Sequence, residues 1–202
     1  MRISHINDPG THERALELLR DGGVVVLPTD TLYGFHAAVS RRKAVERISE
    51  AKGAGHGRRY LLLAASLEMV EAHVASLGCA SRAQLDALWP SPVTVILPAG
   101  RACPDWVGDT VAFRVPARDA LRALIKDLGE PIVSTSVNAS GETPVNDPLE
   151  IAARYDADLM VDGGDADASA STIVDVCGES PLVIRQGDYP WPAATGDSNP
   201  SK

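Results

Sequence analysis

Residues 22–34, GGVVVLPTDTLYG, constrain the fold more than any other stretch of the chain. Val24, Val25, Val26 and Leu27 form an apolar, mostly β-branched run between Gly22-Gly23 and Pro28, the pattern of a short strand buried on both faces. Pro28 has a fixed φ and no amide hydrogen, so it ends the ladder and leaves Thr29, Asp30, Thr31 and Tyr33 beyond the strand's carboxyl end. In α/β sheets ligands bind at that end.

The rest of the chain suffices for one core. Its 202 residues, 45% apolar and 23% charged, predict a single domain over residues 1–189, and PWPAATGDSNPSK at 190–202 predicts a disordered tail. No apolar run approaches the roughly 20 residues that span a bilayer, and the opening MRISHINDPGTHE lacks the apolar centre of a signal peptide. A cytoplasmic protein without a membrane partner is expected. Cys79, Cys103 and Cys177 are odd in number, far apart and without CxxC spacing, so they read as reduced core thiols. The formal charge of −8 argues against broad, non-specific binding to nucleic acid, and any RNA footprint would fall on Arg41, Arg42, Lys43, Arg47 and the Arg58-Arg59 loop.

Apolar positions at helical spacing predict helices over residues 11–21, 41–52 and 118–128. Ser66 is placed to cap a helix to about residue 74, another helix fills 81–88, and Asp147-Pro148-Leu149-Glu150 opens one more. Further strands are predicted at 35–39, 60–65, 93–97, 111–115, 132–134, 159–161, 172–176 and 182–184. GAGHGRR at 53–59 is too glycine-rich for a helix. Asp156, Asp158, Asp162, Asp165 and Asp167 surround a Gly-Gly turn without calcium-loop spacing and read as a solvated acidic surface. The five histidines show no ligand spacing and are assigned to surface or loop positions.

Four polar segments directly follow or interrupt apolar strands: PTDTLYG at 28–34, FRVP at 113–116, STSVNASG at 134–141, and Ser171-Thr172 with VIRQG at 183–187. The hydroxyls, amide and backbone N–H groups of the third suit phosphate oxygens and a small polar substrate, although a capped turn has the same composition. Arg114 lies inside the apolar VAFRV, where an unpaired guanidinium is costly, so its partner is either a structural carboxylate or a ligand anion. Arg185, after Leu182-Val183-Ile184, poses the same alternative. No P-loop, GxGxxG, HExxH or GxSxG pattern is present.

PTDTLYG, SPVTVIL at 91–97, VAFRVP, PIVSTSVNASG, STIVD at 171–175 and VIRQG, in this order, resemble the YrdC-like family of L-threonylcarbamoyladenylate synthases, in its short, single-domain form. The resemblance runs from about Thr11 to Gly187. It implies an α/β fold with a twisted open mixed sheet, helices packed on it and a large concave cavity. It also implies synthesis of threonylcarbamoyl-AMP and pyrophosphate from L-threonine, bicarbonate and ATP with Mg²⁺, for the N6-threonylcarbamoyladenosine modification of tRNA. By position, Thr31, Arg114, Ser136 and Ser171 resemble the threonine site, Tyr33 an aromatic wall, and Ser134, Asn138 and Arg185 nucleotide contacts. Lys52 resembles the first residue of the family's Lys-x-Arg motif, and contact with tRNA or double-stranded RNA and with tRNA-modification proteins is suggested in the same way.

The chain departs from the family where Lys-x-Arg-Pro becomes Lys52-Gly53-Ala54-Gly55, which leaves Arg58 and Arg59 as the basic residues nearest in sequence for the nucleotide phosphates. A histidine expected at the end of the next strand falls on Leu63 or Ala64. The departures motivate two alternatives: a paralogue that binds nucleotide or RNA without making the intermediate, and a carbamoyl-transfer relative.

Overall fold

The computed structural model describes residues 1–53, 60–139, 142–164 and 169–191. Its sheet has ten strands: β1 Arg2–His5, β2 Val25–Pro28, β3 Tyr33–Ala38, β4 Leu61–Leu63, β5 Val93–Pro98, β6 Thr110–Arg114, β7 Ile132–Ser136, β8 Leu159–Asp162, β9 Thr172–Asp175 and β10 Leu182–Arg185. They are ordered β1-β8-β2-β3-β7-β4-β6-β5-β9-β10, with parallel and antiparallel neighbours mixed and β1 and β10 at open edges. The helices are α1 Thr11–Arg20, α2 Arg42–Ala51, α3 Leu67–Glu71, α4 Arg82–Leu88, α5 Asp119–Leu128 and α6 Pro148–Arg154.

The two faces of the sheet are covered unequally. Val26, Phe35, Leu62, Val95, Phe113, Val133 and Val174 bury one face against Ile48 of α2, Val70 of α3, Leu85 of α4 and Ile151 of α6. On the other face, Val25, Leu27, Leu63, Ile132, Leu159 and Val161 pack against Ala15 and Leu19 of α1 and Leu121, Leu124 and Ile125 of α5. Each such Leu, Ile or Val contributes about 1.5–3 kcal/mol by leaving water. The second cluster holds no residue of β5, β6, β9 or β10, so that part of the face is left for a cavity.

The local signals hold at several ends. Ser81 caps α4 in a reciprocal box with Gln84, and Asp147 Oδ1 accepts from Leu149 N at 2.8 Å and Glu150 N at 2.9 Å. Ser66 caps α3, but the helix stops at Glu71 instead of reaching residue 74. Pro28 is the last residue of β2, paired with Tyr33. β1 was not expected from the sequence; it is an edge strand paired only with β8, and its mostly exposed residues have no apolar pattern to show.

Three expectations need correction. His36 is neither a surface nor a loop residue; it is fully buried in β3. The cysteines are free, but none belongs to the core, since Cys79 and Cys103 are half-buried and Cys177 is exposed. Asp158 is not merely solvated: Arg47 Nη1 donates to it at 2.8 Å and Val24 N at 2.7 Å, while Asp165 and Asp167 lie outside the described residues. The 192–202 part of the expected tail also lies outside them. Among the described residues no helix is long and apolar enough to cross a membrane.

Candidate active site

A cavity of about 240 Å³ opens on the uncovered part of the sheet, and its polar lining comes from strand ends. Thr31 follows β2, Arg114 ends β6, Ser134 and Ser136 lie on β7, Ser171 immediately precedes β9 and Arg185 ends β10. Six of the ten residues singled out from sequence are thus brought together, and Tyr33 also lines the cavity. Arg58 and Arg59 lie outside the described residues. A second cavity of about 240 Å³ shares Leu61 with the first and is lined by Ile96, Trp106, Ala112, Ile173 and Ile184.

The loop after β2 is built by Thr29, which the sequence reading did not single out. Its Oγ1 accepts from Thr31 N at 3.1 Å and Leu32 N at 3.2 Å and donates to Leu32 O at 2.7 Å, a hydroxyl-closed turn. With that proton committed, the 2.9 Å contact between the Thr29 and Thr31 hydroxyls has Thr31 as donor. Thr31 Oγ1 in turn accepts from Arg114 Nη1 at 3.1 Å.

Arg114 resolves its alternative in favour of a structural carboxylate that leaves it facing the cavity. Its side chain is 3% exposed, and Nη2 lies 3.4 Å from Asp30 Oδ1, whose side chain is 7% exposed. Asp30 Oδ2 accepts from Ala117 N at 3.0 Å, while Asp30 Oδ1 and Arg114 Nε are buried without a hydrogen-bond partner. Burial lowers the Arg114 pKa, Asp30 opposes that, and Arg185 adds to it; a guanidinium remains charged throughout. Arg185 donates from Nε to Ser171 O at 3.0 Å and from Nη2 to Ser171 Oγ at 3.2 Å, and among the described residues it has no carboxylate partner. Thr94 Oγ1, on the second residue of β5, lies 3.0 Å from the same Ser171 Oγ.

On β7, Ser136 Oγ donates to Asn138 Oδ1, and Asn138 Nδ2 donates to Ala139 O at 2.7 Å and Glu142 O at 3.0 Å. Lys52 is 1% exposed, and its ammonium donates to Ser136 O at 2.5 Å, Asn138 O at 2.7 Å and Asn138 Oδ1 at 3.1 Å. Lys52 and Asn138 therefore stand behind the cavity wall, holding the backbone at Ser136 and Asn138, rather than on its lining. Ser134 Oγ lies 3.2 Å from His36 Nε2, the two residues being direct partners in the β3–β7 ladder. Tyr33 Oη donates to Gly164 O at 2.6 Å and accepts from Gly163 N at 3.0 Å.

Chemically, among the described residues the lining offers two guanidinium groups, several hydroxyls and no carboxylate, which suits an anionic ligand with polar substituents. It does not fit a resident divalent cation, and among the described residues no cluster of three or more His, Cys, Asp or Glu could hold one.

Comparison with known proteins gives the family of the fold. Residues 17–187 match the Sua5/YciO/YrdC family model, described as telomere recombination. The threonylcarbamoyl-AMP synthase of Nitrosococcus oceani is 33% identical over 148 residues, 72% of this chain and 80% of that protein. Among solved structures, Pyrococcus abyssi Sua5 complexed with L-threonine superposes with a TM-score of 0.83 at 28% identity, covering 92% of this chain and 56% of that one. Escherichia coli YciO gives a TM-score of 0.83 at 28% identity, covering 93% of this chain and 95% of that one. This chain spans little more than half of the archaeal Sua5 chain. The strand-end hydroxyls and guanidinium groups thus sit in a fold whose sequence matches over most of its length: the chain belongs to the Sua5/YciO/YrdC family.

Proposed function

We propose that the protein is a threonylcarbamoyl-AMP synthase, using L-threonine, bicarbonate and Mg·ATP as substrates. The observation that carries this reading is the convergence of Thr31, Arg114, Ser134, Ser136, Ser171 and Arg185 on one cavity. It is supported by relatives named for that activity and by the threonine complex of a structural neighbour.

In this reading the threonine amine condenses with bicarbonate, water leaves, and a carbamate oxygen attacks the α-phosphorus of ATP as pyrophosphate departs. No protein nucleophile is required, so positioning and charge neutralisation lower the barrier. The Arg114 fork takes the threonine carboxylate, its fixed geometry being suited to two oxygens. The hydroxyl oxygens of Thr31 and Ser136, whose protons are committed to Thr29 and Asn138, accept from the amine and side-chain hydroxyl of threonine. Ser171 closes that subsite, and Arg185 faces the phosphates with Ser134. The adjoining apolar cavity offers surface to a purine ring. Lys52 and Asn138 serve by holding the turn that carries Ser136, and Arg58 and Arg59 supply further charge to the triphosphate.

The test is incubation of the purified protein with Mg·ATP, bicarbonate and isotope-labelled L-threonine, with a threonine-free control, followed by mass spectrometry for labelled threonylcarbamoyl-AMP. The labelled product and matching pyrophosphate are expected, and Arg114→Ala should lower kcat/KM for threonine by more than 100-fold. Folded protein that binds ATP but makes no product would refute the synthase reading. Unchanged kinetics in the Arg114 variant would refute the assignment of the site. Binding to tRNA, as part of the product's use, is expected to weaken steeply with salt if Arg41, Arg42, Lys43 and Arg47 form the footprint.

A further inference from the structure

The two serines that β7 presents to the cavity are held by different partners. Ser136 Oγ–H points at Asn138 Oδ1, which also receives the Lys52 ammonium, so Ser136 shows the cavity an oxygen without a proton. Ser134, two residues earlier and on the same face, has a fully buried imidazole beneath it. The direction of that hydrogen bond decides whether Ser134 offers a ligand a proton or a lone pair.

The imidazole is neutral. Burial is the largest cause of its lowered pKa, the Arg114 charge adds to it, and the pKa falls to about 3. The backbone of Val25 and Gly34 opposes the shift, and among the described residues Nδ1 is buried without a hydrogen-bond partner. One ring nitrogen of a neutral histidine carries a proton and the other a lone pair. A buried N–H without an acceptor is rarer than an under-satisfied acceptor, which places the lone pair on Nδ1 and the proton on Nε2. The ring fills the space beside Gly34, where a Cβ would lie 3.0 Å from Cε1 and 3.2 Å from Nε2.

We propose that His36 is a positioning residue whose Nε2–H donates to Ser134 Oγ, turning the Ser134 hydroxyl proton into the cavity as a donor to an anionic ligand oxygen. The cavity then reads ligand polarity along one strand, with a donor at Ser134 beside the guanidinium groups and an acceptor at Ser136. Assigning the anion to the nucleotide rests on the synthase reading. The tautomer does not.

Two measurements test this. In protein labelled with ¹⁵N-histidine, two-bond ¹H–¹⁵N correlation spectra give the tautomer directly, and the resonances lost in His36→Gln identify the ring. Protonated Nε2 and bare Nδ1, unchanged from pH 8 to pH 5, are expected; protonated Nδ1 would overturn the proposal whatever the enzyme catalyses. Binding of Mg·ATP is then measured by calorimetry in wild type, Ser134→Ala, His36→Phe, His36→Gln and the Ser134→Ala/His36→Phe double variant. Ser134→Ala and His36→Phe should each weaken binding about 10-fold, the double variant by about the same factor, while His36→Gln, which keeps an amide donor near the Nε2 position, restores most of the affinity. Additive losses, or no rescue by glutamine in folded protein, would leave His36 a packing residue and refute the coupling. If wild type fails to bind nucleotide, the synthase reading falls and the tautomer spectrum still decides the role of His36.

Discussion

Acidification tests the state of His36 without reference to activity. In the unfolded chain the imidazole titrates near its ordinary value of about 6.5. In the fold, burial and the Arg114 charge hold its pKa at about 3, with only the Val25 and Gly34 carbonyls opposing. Because the folded pKa is depressed, the unfolded chain takes up a proton as pH falls below about 6.5 while the folded protein does not, and stability is lost in that window. The slope is roughly 1.4 kcal/mol per pH unit, which amounts to about 2 kcal/mol between pH 7 and pH 5. Urea unfolding at pH 7, 6 and 5, monitored by far-ultraviolet circular dichroism, measures it as a falling midpoint at constant m-value. Other titrating groups are common to wild type and His36→Gln, so the difference between their pH slopes isolates this ring. The variant is expected to lose about 2 kcal/mol less than wild type over the interval. Parallel curves would show that His36 binds its proton equally well in both states, and the burial argument would fail.

Two further substitutions probe the supports of the cavity. Lys52→Met removes the donor for Ser136 O, Asn138 O and Asn138 Oδ1, leaving buried acceptors unpaired; a loss of about 2–4 kcal/mol in urea unfolding is expected, with a rise in KM for threonine. Gly187→Ala places a Cβ 2.3 Å from Ala170 O and 2.7 Å from Thr172 N, so the backbone bracketing Ser171 must move. It should cost about 1–3 kcal/mol and raise KM for threonine, and unchanged kinetics would show that Ser171 does not depend on that packing.

The sequence was most legible where physics is local. The all-apolar runs of β2 and β4 and the Ser66 and Asp147 caps each follow from neighbouring residues, and the structure has an element or a cap at each. Thr31, Arg114, Ser136, Ser171 and Arg185 stood out as polar residues at the ends of apolar strands, but a capped turn or a structural ion pair has the same local pattern, and only the resemblance to the family singled them out as a site. β1 escaped notice because an exposed edge strand need not alternate. Thr29 and Thr94 were passed over because a hydroxyl that closes a turn or braces a neighbour resembles any other threonine.

His36 and Lys52 show why the remaining part could not be read. A search for histidine spacing asks about metal ligands, whereas the environment of His36 comes from register: residue 36 pairs with 134 across β3 and β7, and the side chain at 34 is absent. Neither relation is visible before the strands are aligned. Lys52 misleads in the opposite direction, since a basic residue in a motif associated with phosphates suggests an outward charge, yet its ammonium is buried behind Ser136 and Asn138. Loss of the family's arginine two residues later therefore does not remove the partner of an exposed Lys52, whose ammonium is already committed to the fold. Within the described cavity lining, neutralisation of an anionic ligand falls to Arg114 and Arg185, and Arg114 is already opposed by Asp30. Arg185 has no such carboxylate among the described residues and lies on an exposed edge strand, so replacing it with glutamine should weaken Mg·ATP binding with little cost in stability. Arg114→Gln should instead lower stability, because it strands the buried Asp30 carboxylate, and should weaken threonine more than Mg·ATP binding; equal behaviour of the two variants would refute this division between a carboxylate-paired arginine on threonine and an unpaired one on the nucleotide.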